Sequence, residues 1–237
     1  MSKTKTIKEA IELYNQGNAA GMINNYVEAY ECFLKSAEMG YAQAQFNLGF
    51  CYEKGHGTPH NLTKAVDFYR KAAEQGYAPA QCNLGWCYEC GNGVTANLDK
   101  AVEFYLVSAK QGYPPAQGNL GFCYGNGNGV PRNYETAFKW FSEAASQGNP
   151  FSQYNLGDYY EFGKGVTQDI VKAMEWYRKS AENGYAPAQY HLGSCYQNGN
   201  GVQKNLMKAY EWYSHAAVQD HPAAKHNLEN LKKQDLN

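Results

Sequence analysis

The stretch Ala80-Gln81-Cys82-Asn83-Leu84-Gly85-Trp86-Cys87-Tyr88 decides how this chain folds. Its Leu84-Gly85 pair returns at Leu48-Gly49, Leu120-Gly121, Leu156-Gly157 and Leu192-Gly193, at a spacing of 36 residues each time. A Gly-x-Gly follows every copy, at Gly55/Gly57, Gly91/Gly93, Gly127/Gly129, Gly163/Gly165 and Gly199/Gly201. An alanine then recurs at Ala65, Ala101, Ala137, Ala173 and Ala209, with an aromatic residue four positions on at Tyr69, Tyr105, Phe141, Tyr177 and Tyr213. Self-similarity at a fixed period marks an architecture of stacked repeats.

Each copy reads as two helices. Ala44 to Lys54 carries apolar and small residues at helical spacing, which predicts a first helix, A. Glycine supplies the positive φ that ends it and turns the chain. Asn61 stands where an N-cap belongs, as do Asn97, Asn133, Asp169 and Asn205. Thr63 to Gln75 predicts a second helix, B, with Ala65, Phe68, Tyr69, Ala72 and Ala73 on its inner face, and Gly76 closes it. A mid-helix glycine costs about 1 kcal/mol against alanine. Its recurrence predicts close approach of helices A and B, with the Ala65-type positions facing the glycine and the aromatics filling the space between pairs. One pair cannot bury its own apolar face, so the pairs must stack.

The bulk numbers agree with this reading. The chain has 237 residues, 43% of them apolar, with a formal net charge of -1. Such a balance gives no electrostatic reason to expect nucleic acid or a membrane surface as partner. The N-terminal lysines are not followed by an apolar run, and no run of about 18 apolar residues occurs. Seven cysteines do not form a disulfide framework. These features predict a cytoplasmic, monomeric protein without signal peptide or transmembrane segment.

The ends depart from the pattern as caps should. Residues 7–40 keep Tyr26, Ala29, Phe33, Ala37 and Gly40 but lack the Gly-x-Gly insertion. Beyond His221 a further helix A begins, with Leu228 retained and Glu229 in the glycine position. The expected organisation is an N-terminal capping repeat over 7–40, full repeats over 41–76, 77–112, 113–148, 149–184 and 185–220, and a capping helix and tail over 221–237.

The pattern Ala-Gln-x-Asn-Leu-Gly-x-x-Tyr-x-x-Gly-x-Gly-Val, followed by Asn-x-x-Lys-Ala and Ala-Ala, resembles the Sel-one-like repeat of the tetratricopeptide superfamily. The resemblance covers roughly residues 41–232, while 7–40 looks more like an ordinary tetratricopeptide unit. It implies an all-α fold, a right-handed α/α superhelix of about six helix-turn-helix repeats plus a C-terminal capping helix. It also implies an adaptor or scaffold that takes a protein or peptide in a concave groove lined by the A helices. A cysteine-rich branch of the family pairs cysteines within each repeat, a pattern absent from this sequence.

Few residues suggest other chemistry. Gly-x-Gly loops cradle phosphates after a strand, but here they follow helices and read as turns. Cys51, Cys87, Cys123 and Cys195 share one register about 10 Å apart, beyond disulfide reach, and read as small buried residues. Cys87 and Cys90 form a solitary C-x-x-C, so a metal, redox or enzymatic module using them and nearby histidines stands as the alternative reading. A purely structural spacer in a larger assembly is a second alternative. No cofactor and no catalytic set is implied. Phe68, Phe104, Trp140, Trp176 and Trp212 recur in every copy and read as packing residues.

A binding surface should sit where the copies differ. Three residues before each repeat glycine stand Phe46, Cys82, Gly118, Tyr154 and Tyr190, and just after it Phe50, Trp86, Phe122, Asp158 and Ser194. These positions share one helix face. Phe46, Phe50, Trp86 and Phe122 predict an apolar floor in the first half, and Tyr154, Asp158, Glu161 and Tyr190 a more polar second half. Between them runs a ladder of Asn47, Asn83, Asn119, Asn155 and His191. One rung per roughly 10 Å matches about three residues of extended peptide, so the amides are expected to bond a peptide backbone. The same amides could instead tie neighbouring helices together.

Overall fold

The computed structural model describes residues 3–234, with side chains over 6–232. Among the described residues there are thirteen helices and no strand. They follow as pairs: α1 (Lys3–Met22) with α2 (Tyr26–Glu38), α3 (Ala42–Lys54) with α4 (Leu62–Glu74), α5 (Ala78–Cys90) with α6 (Leu98–Lys110), α7 (Pro114–Asn126) with α8 (Tyr134–Ser146), α9 (Pro150–Phe162) with α10 (Ile170–Glu182), and α11 (Ala186–Asn198) with α12 (Leu206–Val218). A last helix, α13 (Pro222–Gln234), follows. The architecture is the all-α helical solenoid with a C-terminal helix that the repeat predicts. The chain forms two compact units. One runs to Ala116 and takes in Asn128–Val130; the other comprises Gln117–Gly127 and everything from Pro131 on.

The local signals act as their chemistry requires. Gly91 caps α5 in the left-handed region at φ 73°, its N–H bonded to the Cys87 carbonyl. Two residues on, Gly93 has φ 71°, and a Cβ there would press on the Leu62 backbone of the preceding repeat. Asn97 closes the loop twice: its N–H donates to the Tyr88 carbonyl at 2.8 Å, and its side chain accepts from the Lys100 N–H at 2.9 Å. Asn61, Asn133, Asp169 and Asn205 cap their helices in the same way.

The helix A glycine faces the Ala65-type position, as its sequence suggests, and meets a tyrosine ring as well. A Cβ on Gly49 would lie 2.7 Å from the Tyr69 ring, with the Ala65 carbonyl next at 3.1 Å. Gly85 meets Tyr105, Gly157 meets Tyr177 and Gly193 meets Tyr213 in the same manner. The recurring spacing therefore seats the tyrosine ring on the glycine inside its own pair, beside the alanine backbone, whereas the sequence suggests that the aromatics fill the space between pairs. Ala65 and its equivalents are small so that the backbones approach, and the ring fills what remains.

The tyrosine hydroxyls, sealed at the far end of fully buried rings, find acceptors sixteen residues upstream. Tyr69 donates to Glu53 at 2.7 Å, Tyr105 to Glu89 at 2.6 Å, and Tyr213 to Gln197 at 2.7 Å. Burial, with the adjacent carboxylate, pushes the Tyr69 hydroxyl well above its ordinary pKa. The copy at 113–148 solves the problem differently. Phe141 has no hydroxyl and Gly125 no carboxylate, and the Tyr159 ring takes the place where other copies carry a cysteine. Tyr159 packs edge-on to Phe141 at 5.3 Å, and its hydroxyl occupies the room a side chain at Gly125 would need.

Within each unit, a second buried network joins neighbouring pairs. Gln81 donates to the Ala73 carbonyl at 3.2 Å, capping the end of α4, and accepts from Gln111 at 2.6 Å. Gln45, Gln153 and Gln189 do the same for α2, α8 and α10. These glutamines are buried because both ends of their amides are bonded.

Candidate interaction surface

In the first unit, the variable A-helix positions lie on α3 and α5. Phe46 is half-buried, tilted against Tyr69 at 5.5 Å and edge-on to Tyr77 at 5.5 Å. One turn further, Phe50 is 41% exposed. Its neighbours are polar: the Lys54 ammonium lies 5.6 Å from the ring, and Lys54 pairs with Glu53 at 2.7 Å. Trp86 on α5 is 39% exposed. Large aromatic faces left this open favour burial against something else.

In the second unit, Phe122 on α7 is 38% exposed and leans on Phe151 at 6.2 Å. Tyr154 on α9 is held between Tyr177 at 5.4 Å and Tyr185 at 5.6 Å, and burial pushes its hydroxyl up to about 12. Tyr190 on α11 stacks on His221 at 4.8 Å. Tyr177 donates to two carboxylates, Asp158 at 2.7 Å and Glu161 at 2.5 Å. This half of the surface is thus aromatic at depth and acidic at its rim.

The amide positions are half-buried, and most already serve the scaffold. Asn47 donates to Asn18 at 3.1 Å. Asn83 bonds the Tyr69 hydroxyl of the preceding pair, and Asn227 the Tyr213 hydroxyl. Asn155 follows Phe141, which offers no hydroxyl, and turns back to the Phe151 carbonyl of its own helix at 2.8 Å. Asn119 stands in the same register on α7. His191 packs on the Tyr177 ring at 4.2 Å and lies 3.9 Å from Glu161. Burial lowers its pKa, against the pull of the Glu161 and Asp158 charges. The link between these positions and the preceding ring was readable only as a phase relation: an aromatic residue stands fourteen positions before each of them, a tyrosine before Asn83, Asn119, His191 and Asn227 and a phenylalanine before Asn47 and Asn155.

Cys87 and Cys90 lie in different settings. Cys87 is buried, and burial, with Glu53 and Cys90 adding to it, pushes its thiol up to about 12, so it is fully protonated at neutral pH. Cys90 is exposed. Cys51, Cys123 and Cys195 are buried.

A solenoid of helical pairs with a variable, partly aromatic A-helix face defines a class of repeat scaffolds. The chain belongs to the Sel1-repeat family: the Sel1 repeat matches residues 8–41, 42–77, 78–113, 114–149, 150–185 and 186–221. A Sel1-repeat protein from Oxalobacter formigenes is 31% identical, with a TM-score of 0.82 over 89% of this chain and 86% of that one. A protective antigen of uropathogenic Escherichia coli strains, c5321, which displays the same fold, is 33% identical with a TM-score of 0.79. That match takes in 100% of this chain but 52% of the antigen, so the chain spans about half its length. The rat DAP3-binding cell death enhancer 1 is 46% identical over 37 residues, only 7% of its length. Sel1-repeat proteins are in general protein-interaction scaffolds, and their fold is typically non-enzymatic. No described helix is long and apolar enough to cross a membrane.

Proposed function

We propose that this chain is a non-enzymatic adaptor that holds a segment of another protein against the A-helix face of its units. The observation that supports this is the exposure of Phe50, Trp86 and Phe122, three aromatics at one register directly after the repeat glycine. Stacking does not require an aromatic at this register, since it carries Asp158 and Ser194 in later copies without change of fold. Exposed aromatics of this kind are the anchors that dominate interface energetics. In the first unit Phe46 and Asn47 flank Phe50, and Asn83 flanks Trp86. In the second, Asn119 flanks Phe122, and Tyr154, Asn155, Asp158, Tyr190 and His191 complete the face. A primary amide has two N–H donors and an acceptor, so a bond to one tyrosine hydroxyl does not exhaust Asn83 for a peptide backbone.

The test is partner capture by the full chain, compared with a Phe50→Ala, Trp86→Ala variant and a separate Phe122→Ala variant. Each side chain is open at its tip, so the helical signal should persist. Loss of the captured protein by ten-fold or more is expected. Undiminished capture by both folded variants would remove the aromatics from the surface. A companion Asn83→Ala, Asn119→Ala variant reads the amides: unchanged affinity assigns them to the scaffold alone.

A further inference from the structure

The second unit contains a cavity of about 400 Å³ between α9, α10 and α11 and the loop after α11. Its lining is of two kinds. Ile170 and Met174 offer apolar surface, and Glu161 and His191 are polar. Glu161 shares a single tyrosine proton with Asp158, because both carboxylates accept from the Tyr177 hydroxyl. Among the described residues no lysine or arginine pairs with either. The contrast lies within the same chain: the equivalent Glu53 is neutralised by Lys54 at 2.7 Å. One hydroxyl cannot balance two negative charges, and the nearest nitrogen base, His191, is held 3.9 Å from Glu161.

We infer that this cavity takes a basic side chain, arginine or lysine, from the bound segment. An arginine or lysine has the matching build, an apolar stem ending in a cation. The stem lies along Ile170 and Met174, and the head supplies the positive charge that Glu161, at the cavity wall, lacks. The planar fork of a guanidinium also suits two-point contact with a carboxylate such as that of Glu161. The inference rests on the adaptor reading above and adds the chemistry that the second unit selects. It predicts no equivalent preference at the next copy, where Ser194 and Gln197 surround the Tyr213 hydroxyl.

That neutral copy also supplies a variant that should fold. Asp158→Ser with Glu161→Gln places around Tyr177 the side chains that already serve Tyr213. The probe is a fluorescein-labelled nonapeptide of alternating arginine and alanine, with lysine and citrulline versions, read by anisotropy at fixed salt. Citrulline keeps the shape of arginine and removes its charge. The wild-type chain should bind the arginine or lysine peptide at least ten-fold more tightly than the citrulline peptide. D158S/E161Q should abolish that difference. Glu135→Gln with Glu175→Gln, the same charge change at exposed positions on α8 and α10, should preserve it. Equal binding of the citrulline peptide, absence of binding by the wild type, or equal loss in the E135Q/E175Q variant would each overturn the assignment. Partner capture that still depends on Phe50 and Trp86 would then leave the adaptor reading intact, so the two failures are distinguishable.

Discussion

Gly85 and Gly21 are both helical glycines, yet a methyl group would act on them in opposite ways. At Gly85 a Cβ would lie 2.8 Å from the buried Tyr105 ring, which has nowhere to retreat. Overpacking of that kind costs about 1–3 kcal/mol, more than the roughly 1 kcal/mol alanine returns in helix propensity. At Gly21 nothing lies within 4 Å. Urea titration should therefore show Gly85→Ala destabilised by about 1–2 kcal/mol and Gly21→Ala stabilised by up to about 1 kcal/mol. His191 belongs to the same scale. Its pKa is lowered in the fold, so the unfolded chain binds the proton first and stability rises with pH through the region below the ordinary histidine value of about 6.5. That stability is lost as pH falls from there toward the folded-state value. His191→Asn, which restores the residue found in the earlier copies, should shrink the difference between midpoints at pH 7.5 and pH 5. An unchanged difference would assign the acid sensitivity to other groups.

At the scale of the helix, the caps carry the message. The Asn97 side chain accepts from the third N–H of α6, and Asp169 performs the same task for α10. Asn97→Ala should cost about 1 kcal/mol in the urea midpoint, while Asn97→Asp should cost little. These signals are why the helices were legible in the sequence: glycine turns, asparagine caps and small-residue registers are local and repeat in phase. The aromatic register was legible for the same reason, since variation between copies at Phe50, Trp86, Phe122 and Asp158 marks positions that stacking does not constrain. What local spacing could not show was which neighbour a residue meets. Helical periodicity assigns Tyr69 to a face but not to the glycine of its own pair, and it gives no hint that Gln81 would be buried. The cavity beside Glu161 was hidden for a related reason. It depends on a hydroxyl shared by two carboxylates, and the sequence shows a tyrosine and two acids without their convergence.

Within each unit, stability is a sum of pair and neighbour terms, because the helices pack mainly on those adjacent in sequence. The last such term is α13, whose Ala224 and Leu231 close the cluster around Tyr213 and Ala216. A chain ending at His221 should lose hydrogen-exchange protection first in α11 and α12, with α3 to α6 little changed. A uniform loss across the chain would point to one cooperative unit instead. The exchange of Phe141, Gly125 and Tyr159 for the usual tyrosine, acid and cysteine bears on how such a chain can change over generations. Recombination between its own near-duplicate segments is the easy route to lengthening or shortening it. A crossover that separated 113–148 from 149–184 would join a partner built for a bulky ring to one carrying a cysteine, leaving a void, or force a tyrosine against a carboxylate. Those two segments are therefore expected to be inherited as one block, while the others remain interchangeable.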